Sequence, residues 1–121
     1  MLIADLYKIN EDTVRDSIQT TSITLNPDND VFKGHFPGNP ITPGVCTLQI
    51  IKELTENRTG CSLFMKKASN VKFMAVINPE KTPDLIITND FTDNDDEIKV
   101  KSVVKYDDTI ALKVVVTFVK L

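Results

Sequence analysis

Residues 43–60, PGVCTLQIIKELTENRTG, decide the fold because they predict one buried helix. Thr42 is suited to the N-cap, and Pro43 fits the first helical position, where its missing N–H costs nothing. Gly60 is suited to a left-handed cap that ends the helix. Apolar side chains cover most of the helix circumference, which is typical of a buried helix rather than a surface one. They are Val45, Cys46, Leu48, Ile50, Ile51 and Leu54.

Strand patterns flank this helix on both sides. Before it, Leu2–Ile9 and Val14–Leu25 are predicted strands joined by a turn at residues 10–12. After it, alternating apolar and polar residues indicate half-buried strands, with a turn at residues 107–108. One helix among antiparallel strands predicts an α+β domain over residues 1–121, with the sheet wrapped around the helix. The later strand candidates are residues 63–65, 71–76, 85–91, 98–106 and 109–119.

Composition excludes several classes of function. The chain has 121 residues, enough for one domain with its own core. Its 14 basic and 17 acidic residues give a net charge of −3, so no broad basic field exists to attract nucleic acid. The longest nearly apolar stretches, such as Ile110–Val119, are far shorter than the roughly 20 residues of a membrane-spanning helix. The start of the sequence shows no basic leader or long apolar run, so we expect a cytoplasmic protein that does not enter a membrane.

The potential metal ligands do not form a recognisable site. Cys46 and Cys61 are expected to be reduced thiols, and with the single His35 they lack the spacing of a zinc site. The acidic run at residues 93–97 lacks the glycine and terminal glutamate of a calcium loop, so we interpret it as a solvated hairpin turn. We therefore expect no metal.

Glycine and proline are concentrated in one loop. Three of the four glycines and three of the six prolines fall within residues 34–44, around His35. Histidine ordinarily titrates near neutral pH, so His35 is the natural candidate for a general base. Gly44 and Val45 fall in the predicted first helical turn, where free N–H groups and the helix dipole can polarise a carbonyl. The simpler interpretation is that the glycines and prolines only shape a tight turn, but such a turn does not require the histidine.

The same loop resembles a known family. The run VFKGHFPGNPITPGV, residues 31–45, closely resembles the GHFPGxPIxPGV signature of the 3-hydroxyacyl-acyl carrier protein dehydratases of fatty-acid synthesis. Residues 70–73, NVKF, are similar to a second family segment, and weaker similarity covers about residues 14–119. The resemblance implies the hot-dog fold, in which an antiparallel sheet wraps around a long central helix.

The resemblance also implies roles for particular residues. His35 would remove the proton from C2 of the acyl chain, while the backbone N–H of Gly44 would hold the thioester oxygen. Phe36, Pro43, Gly44 and Val45 would contact the substrate. No cofactor is implied beyond the phosphopantetheine that carries the substrate, attached to acyl carrier protein or to coenzyme A.

One position departs from the family pattern. Fourteen residues after the histidine the dehydratases carry a Glu or Asp, and this chain has Gln49. An amide cannot supply a proton at useful pH, although it can orient water or a hydroxyl group. Glu53 is an alternative acid, but near the polar end of the helix a solvated glutamate is the default. Cys46 is interpreted as a structural thiol rather than a nucleophile.

Three functions remain open from the sequence. The first is dehydration of 3-hydroxyacyl thioesters, with Gln49 orienting the hydroxyl group. The second is a weakly active or inactive subunit that binds acyl thioesters or completes a partner's site. The third is thioester hydrolysis, against which the GHFPG signature argues.

The family also implies assembly and docking. Its sites form between two protomers, so we expect a homodimer or a heterodimer that pairs His35 with Gln49 across the interface. Lysines near the site could dock an acidic carrier protein, although solvated surface lysines are an equal interpretation. They are Lys33, Lys52, Lys66, Lys67 and Lys72.

Overall fold

The computed structural model describes residues 5–32 and 42–121, and its helix α1 spans Gly44–Thr59. The predicted start of this helix is wrong by one residue. Pro43 is the N-cap, with an extended ψ of 141°, and its carbonyl accepts the N–H of Cys46 at 3.0 Å. Thr42 lies outside the helix, and its backbone N–H donates to the carbonyl of Ile77 at 2.8 Å. The predicted end is confirmed, because Gly60 has a φ of 70° and its N–H donates to the carbonyl of Glu56.

Six antiparallel strands form one sheet in the order β1-β2-β4-β5-β6-β3. A short 3₁₀ turn at Asp30–Phe32 lies between β2 and the residues that precede α1. β3 is an edge of the sheet within the chain, and its partner β6 carries the alternating pattern seen in the sequence. The strands are β1 (Tyr7–Arg15), β2 (Ile18–Leu25), β3 (Leu63–Phe73), β4 (Asp84–Asn94), β5 (Glu97–Tyr106) and β6 (Thr109–Lys120).

The predicted turn at residues 10–12 is wrong. These residues belong to β1, and the chain reverses instead at residues 16–17, where Asp16 has a φ of 56°. A register shift between Ile9 and Glu11 accommodates the polar run. Cross-strand partners satisfy its side chains, because Asn10 donates to Thr24 Oγ1 at 2.7 Å and Asp12 accepts from Thr21 at 3.0 Å.

The predicted break at residues 66–70 is also wrong, because β3 is continuous from Leu63 to Phe73. Two register shifts, one after Met65 and one after Ser69, let the strand pass through its polar residues. Asn70 adopts a φ of 51°, which asparagine tolerates better than most residues. Residues 74–76, predicted as strand, lie beyond its end, although Met74 N–H still donates to the carbonyl of Ala111.

The two C-terminal hairpins agree with the sequence. The acidic run forms the turn between β4 and β5, and Asp107-Asp108 forms the turn between β5 and β6. Alternate residues of β5 and β6 face the core, including Val100, Val116 and Phe118, which are fully buried. No helix within the described ranges combines the length and apolar character needed to cross a membrane.

Helix α1 packs one side against the inner face of the sheet. Ile50, Ile51 and Leu54 are fully buried there. The prediction that Val45 shares this burial is wrong, since Val45 is 62% exposed. Leu48 is partly buried and packs against the same core.

Candidate active site

The predicted base lies outside the described residues. His35 and Phe36 both fall within residues 33–41, so the structure does not place them. The described part of the site begins at Thr42 and continues into the first turn of α1. The first turn of α1, the residues after β3 and the start of β6 form the part of the site that the structure describes.

The start of α1 has two backbone donors without an acceptor in the helix. Gly44 and Val45 are the first two residues of the helix, so their N–H groups have no acceptor within it. The hydrogen bond from Thr42 N–H to the carbonyl of Ile77 anchors this end of the helix to the segment after β3. The aligned peptide dipoles make the same end favourable for a partial negative charge.

An apolar cavity of about 460 Å³ opens beside this turn. Pro43 and Gly44 line it, whereas Val45 does not. The ring of Phe73 lies so close to Gly44 that a Cβ at this position would meet Phe73 Cζ at 2.6 Å. Glycine therefore lets the aromatic wall approach the helix start. The remaining lining residues are Thr42, Thr47, Phe73, Met74, Ala75, Val76, Ile77, Ala111 and Leu112.

Thr42 gives the cavity wall a polar atom that sequence reasoning assigned to the helix cap. The residue is only 7% exposed, and its Oγ1 has no hydrogen-bond partner among the described residues. A buried hydroxyl without a partner costs about 1–3 kcal/mol. A ligand oxygen in the cavity could satisfy this hydroxyl group. The only sequence signal for Thr42 was its place directly before Pro43 and Gly44.

Gln49 lies on another side of α1 and does not line this cavity. Its Nε2 donates to Glu53 Oε2 at 2.9 Å, and Tyr7 Oη donates to Glu53 Oε1 at 2.9 Å. The expectation of a solvated Glu53 is therefore wrong, because the side chain is half-buried and each carboxylate oxygen accepts a hydrogen bond. Tyr7, on β1, was missed because it is 46 positions from Glu53 in sequence.

The environment of Tyr7 keeps its hydroxyl protonated. Burial raises the pKa of Tyr7 well above its ordinary value of 10.0. The hydrogen bond to Glu53 and the negative charge of the Glu53 carboxylate raise this pKa further. Tyr7 therefore remains a donor to Glu53 throughout the physiological pH range. The side chain pairs with Glu53 as a neutral phenol.

This raised pKa predicts a pH dependence of stability. Below pH 10 the phenol is protonated in both states, and its stabilising contribution is fully present. Above that value the unfolded state loses the proton first, so the free energy of unfolding should fall by about 1.4 kcal/mol per pH unit from this group. Chemical denaturation between pH 9 and 11 should show a shallower fall for Tyr7→Phe than for the wild type. Equal slopes for the two proteins would contradict the assignment.

The two cysteines differ in their surroundings. Cys46 is buried, and burial raises the pKa of its thiol, which disfavours the reactive thiolate. Cys61 is partly exposed, and both thiols are free. Within residues 5–32 and 42–121, no group of three His, Cys, Asp or Glu side chains is placed to hold a metal ion.

The candidate docking lysines have different environments. Lys66 pairs with Glu97 at 2.9 Å, so its charge is partly neutralised. Lys67 and Lys72 are exposed on β3, and Lys52 is half-buried on α1. Lys33 lies outside the described residues.

Comparison with known proteins identifies the family. The model of the ApeI-like family, described as ApeI dehydratase, matches residues 10–113. A 3-hydroxyacyl-[acyl-carrier-protein] dehydratase FabZ from Lactobacillus helveticus is 30% identical over 120 residues, covering 93% of this chain and 79% of that protein.

Solved structures show the same fold at low identity. One is the dehydratase heterocomplex ApeI:P from Xenorhabdus doucetiae, with a TM-score of 0.78 and 17% identity over 93% of this chain and 96% of that one. Another is a hypothetical thioesterase with coenzyme A from Streptococcus pneumoniae, with a TM-score of 0.68 and 13% identity over 95% and 85% of the two chains. The six-stranded sheet around one helix is therefore the hot-dog fold, as the loop motif predicted. Taken with the family match over residues 10–113, this fold shows that the chain belongs to the ApeI-like dehydratase family.

Proposed function

We propose that the protein dehydrates 3-hydroxyacyl thioesters to trans-2-enoyl thioesters in fatty-acid or related lipid or polyketide synthesis. The acyl chain would be carried on the phosphopantetheine of acyl carrier protein, with coenzyme A as the alternative carrier. The observation that carries this proposal is the N–H of Gly44, which has no acceptor within α1 or among the other described residues and lies at the wall of an apolar cavity. Membership of the dehydratase family supports it.

The proposed reaction assigns the first step to His35 and Gly44. His35 takes the proton from C2 while negative charge moves onto the thioester oxygen. The N–H of Gly44 donates to that oxygen, and the dipole of α1 stabilises its charge. The apolar wall, including Phe73 and Leu112, excludes water and strengthens these interactions.

The second step breaks the bond between C3 and its hydroxyl oxygen. The electron pair left at C2 forms the double bond, and the proton held by His35 passes to the departing hydroxyl group, which leaves as water. In this scheme Gln49 takes no proton and orients the hydroxyl group by hydrogen bonding. All atoms and electrons of the proposed dehydration are accounted for, so the reaction needs no cofactor and no oxidant.

We propose that the complete site needs two chains. Gln49 does not line the cavity beside Gly44 of its own chain, which supports a site assembled from two protomers. The edge strand β3 carries exposed Phe64 and Phe73, and Val45 on α1 is exposed as well. Apolar side chains along an open sheet edge are suited to a second hot-dog subunit. That subunit would be a second copy of this chain or a related chain.

A second candidate function follows from Gln49 itself. Because the Gln49 amide cannot act as an acid, the alternative function is that of an acyl-thioester-binding subunit that completes the site of a partner. The structural neighbour from Xenorhabdus doucetiae is a dehydratase heterocomplex, which favours a pair of unlike subunits as the form of this alternative. Thioester hydrolysis rests on the shared fold alone.

Gln49→Glu tests the proposal by restoring the missing acid. The introduced carboxyl group would replace an amide whose Nε2 is 2.9 Å from Glu53 Oε2. Because two negative charges this close repel each other, ionisation of both carboxyl groups is unfavourable. One of them should therefore stay protonated and serve as an acid. We expect turnover of 3-hydroxyacyl carrier-protein thioesters to rise about 10²-fold over the wild type.

Gln49→Leu is the matched control for this experiment, because it keeps the size of the side chain and removes its hydrogen bonding. The proposal predicts that turnover is highest with Glu at position 49, lower with Gln and lowest with Leu. Turnover would be measured from the absorbance of the enoyl thioester. Activity of the wild type only after mixing with a hot-dog subunit that has the usual carboxylate would favour the second candidate. Release of free thiol without enoyl product would instead indicate hydrolysis.

A further inference from the structure

Three side chains of β1 and α1 form a hydrogen-bonded chain on the side of the helix that carries Gln49. Tyr7 on β1 donates to one carboxylate oxygen of Glu53, and Gln49 donates to the other, each at 2.9 Å. All three residues are half-buried. Hydrogen bonds to a charged acceptor are stronger than those between neutral groups, so this arrangement restricts all three side chains.

The arrangement fixes which end of the Gln49 amide faces Glu53. A carboxylate only accepts hydrogen bonds, so the NH₂ group must point towards it, because a carbonyl oxygen there would face another oxygen without a proton between them. Tyr7 already supplies the donor for the second carboxylate oxygen. Gln49 Oε1 makes no hydrogen bond to the described residues, so this oxygen keeps its capacity to accept one.

We propose that Glu53 and Tyr7 are positioning residues that hold Gln49 with its carbonyl oxygen available to the substrate hydroxyl group. This inference rests on the proposed function, in which Gln49 orients that hydroxyl group. It assigns Gln49 the role of a hydrogen-bond acceptor. Glu53 does not act as the acid, since both of its oxygens are engaged.

Glu53→Gln tests the inference with little change in shape. The variant leaves one acceptor oxygen for two donors, so Gln49 loses its hydrogen bond or reverses its amide. We expect kcat to fall about tenfold with KM within about twofold, because the hydroxyl group is oriented mainly as it departs. Tyr7→Phe keeps the carboxylate for Gln49 and should have a smaller effect. Glu11→Gln removes a charge from an exposed position on β1 and is the matched control, with unchanged kcat.

An NMR measurement makes the test independent of turnover. The side-chain amide signals of Gln49, assigned by their loss in Gln49→Leu, should show one N–H proton protected from solvent exchange in the wild type. Glu53→Gln should abolish that protection, and Glu11→Gln should preserve it. If the protection survives in Glu53→Gln, the positioning role is overturned, whatever the activity.

The two readouts separate this inference from the proposed function. A wild-type chain without dehydratase activity on its own would refute the proposed function, while the protection of Gln49 would still decide whether Glu53 positions it. An active wild type whose kcat is unaffected by Glu53→Gln would overturn the inference and leave the proposed function standing. The inference would also be overturned if Glu53→Gln and Tyr7→Phe lost thermal stability and activity equally and KM rose in both. That result would show that Glu53 and Tyr7 have a structural role only.

Discussion

Turnover of 3-hydroxyacyl thioesters should fall by about 10²- to 10⁴-fold when His35 is replaced by alanine. His35 is the only histidine of the chain, and it lies in the loop that carries the dehydratase signature. Without it, no other side chain of that loop ordinarily exchanges protons near neutral pH. The measurement is the initial rate of enoyl thioester formation at saturating substrate, with the melting temperature recorded for each protein.

Asn39→Ala is the matched control for this substitution. Asn39 lies in the same loop, at a position that the family signature leaves variable. Its removal should change the rate by less than about threefold, since it supplies no proton transfer. A fully active His35→Ala protein would show that another group removes the C2 proton, and the proposed mechanism would then be wrong.

Leu54→Ala should lower the free energy of unfolding by about 2–5 kcal/mol. Leu54 is 0% exposed on the side of α1 that packs against the sheet, so its truncation leaves a cavity that the neighbouring strands cannot readily fill. Chemical denaturation of the purified variant would measure the loss. The effect should be among the largest of any single apolar truncation, because this helix holds the core together.

Leu121→Ala makes the same chemical change at an exposed position and serves as the control. Leu121 is 82% exposed, so we expect a change of less than about 0.5 kcal/mol. Similar losses for the two variants would contradict the placement of α1 inside the sheet.

The sequence predicted best those helices and strands in which apolar and polar residues alternate with a regular period. Helix α1 has a stop at Gly60, and alternate residues of β5 and β6, such as Val100 and Val114, are buried. One face of each strand meets the core, so its pattern is visible in the residues themselves. The resemblance of the loop motif to the dehydratases then implied the hot-dog fold, which the structure confirms.

The errors fall where cross-strand partners override local preference. Residues 10–12 resemble a turn, but a register shift and bonds from Asn10 and Asp12 to β2 keep them in β1. The polar residues of β3 are tolerated because this strand lies at a sheet edge, where irregular pairing costs less. Such partners are remote in sequence, so no local pattern shows them.

The residues of the candidate site also differ in how far the sequence could predict them. Pro43 and Gly44 lie at the helix start, where the motif places them, and they line the cavity, while their contact with a substrate stays a prediction. The spacing of Gln49 and Glu53 shows that they share a side of α1. The third member, Tyr7, comes from β1, and its contact with Glu53 exists only after the sheet folds around the helix.

The most direct test of the proposed function is product analysis by mass spectrometry. The purified chain would be incubated with a 3-hydroxyacyl thioester on acyl carrier protein, alone and with a hot-dog subunit that carries the usual helix carboxylate. We predict that the wild-type chain alone forms the trans-2-enoyl thioester, still attached to its carrier and lighter by one water. Unchanged substrate from the chain alone, or free thiol and carboxylic acid without enoyl product, would contradict the proposal.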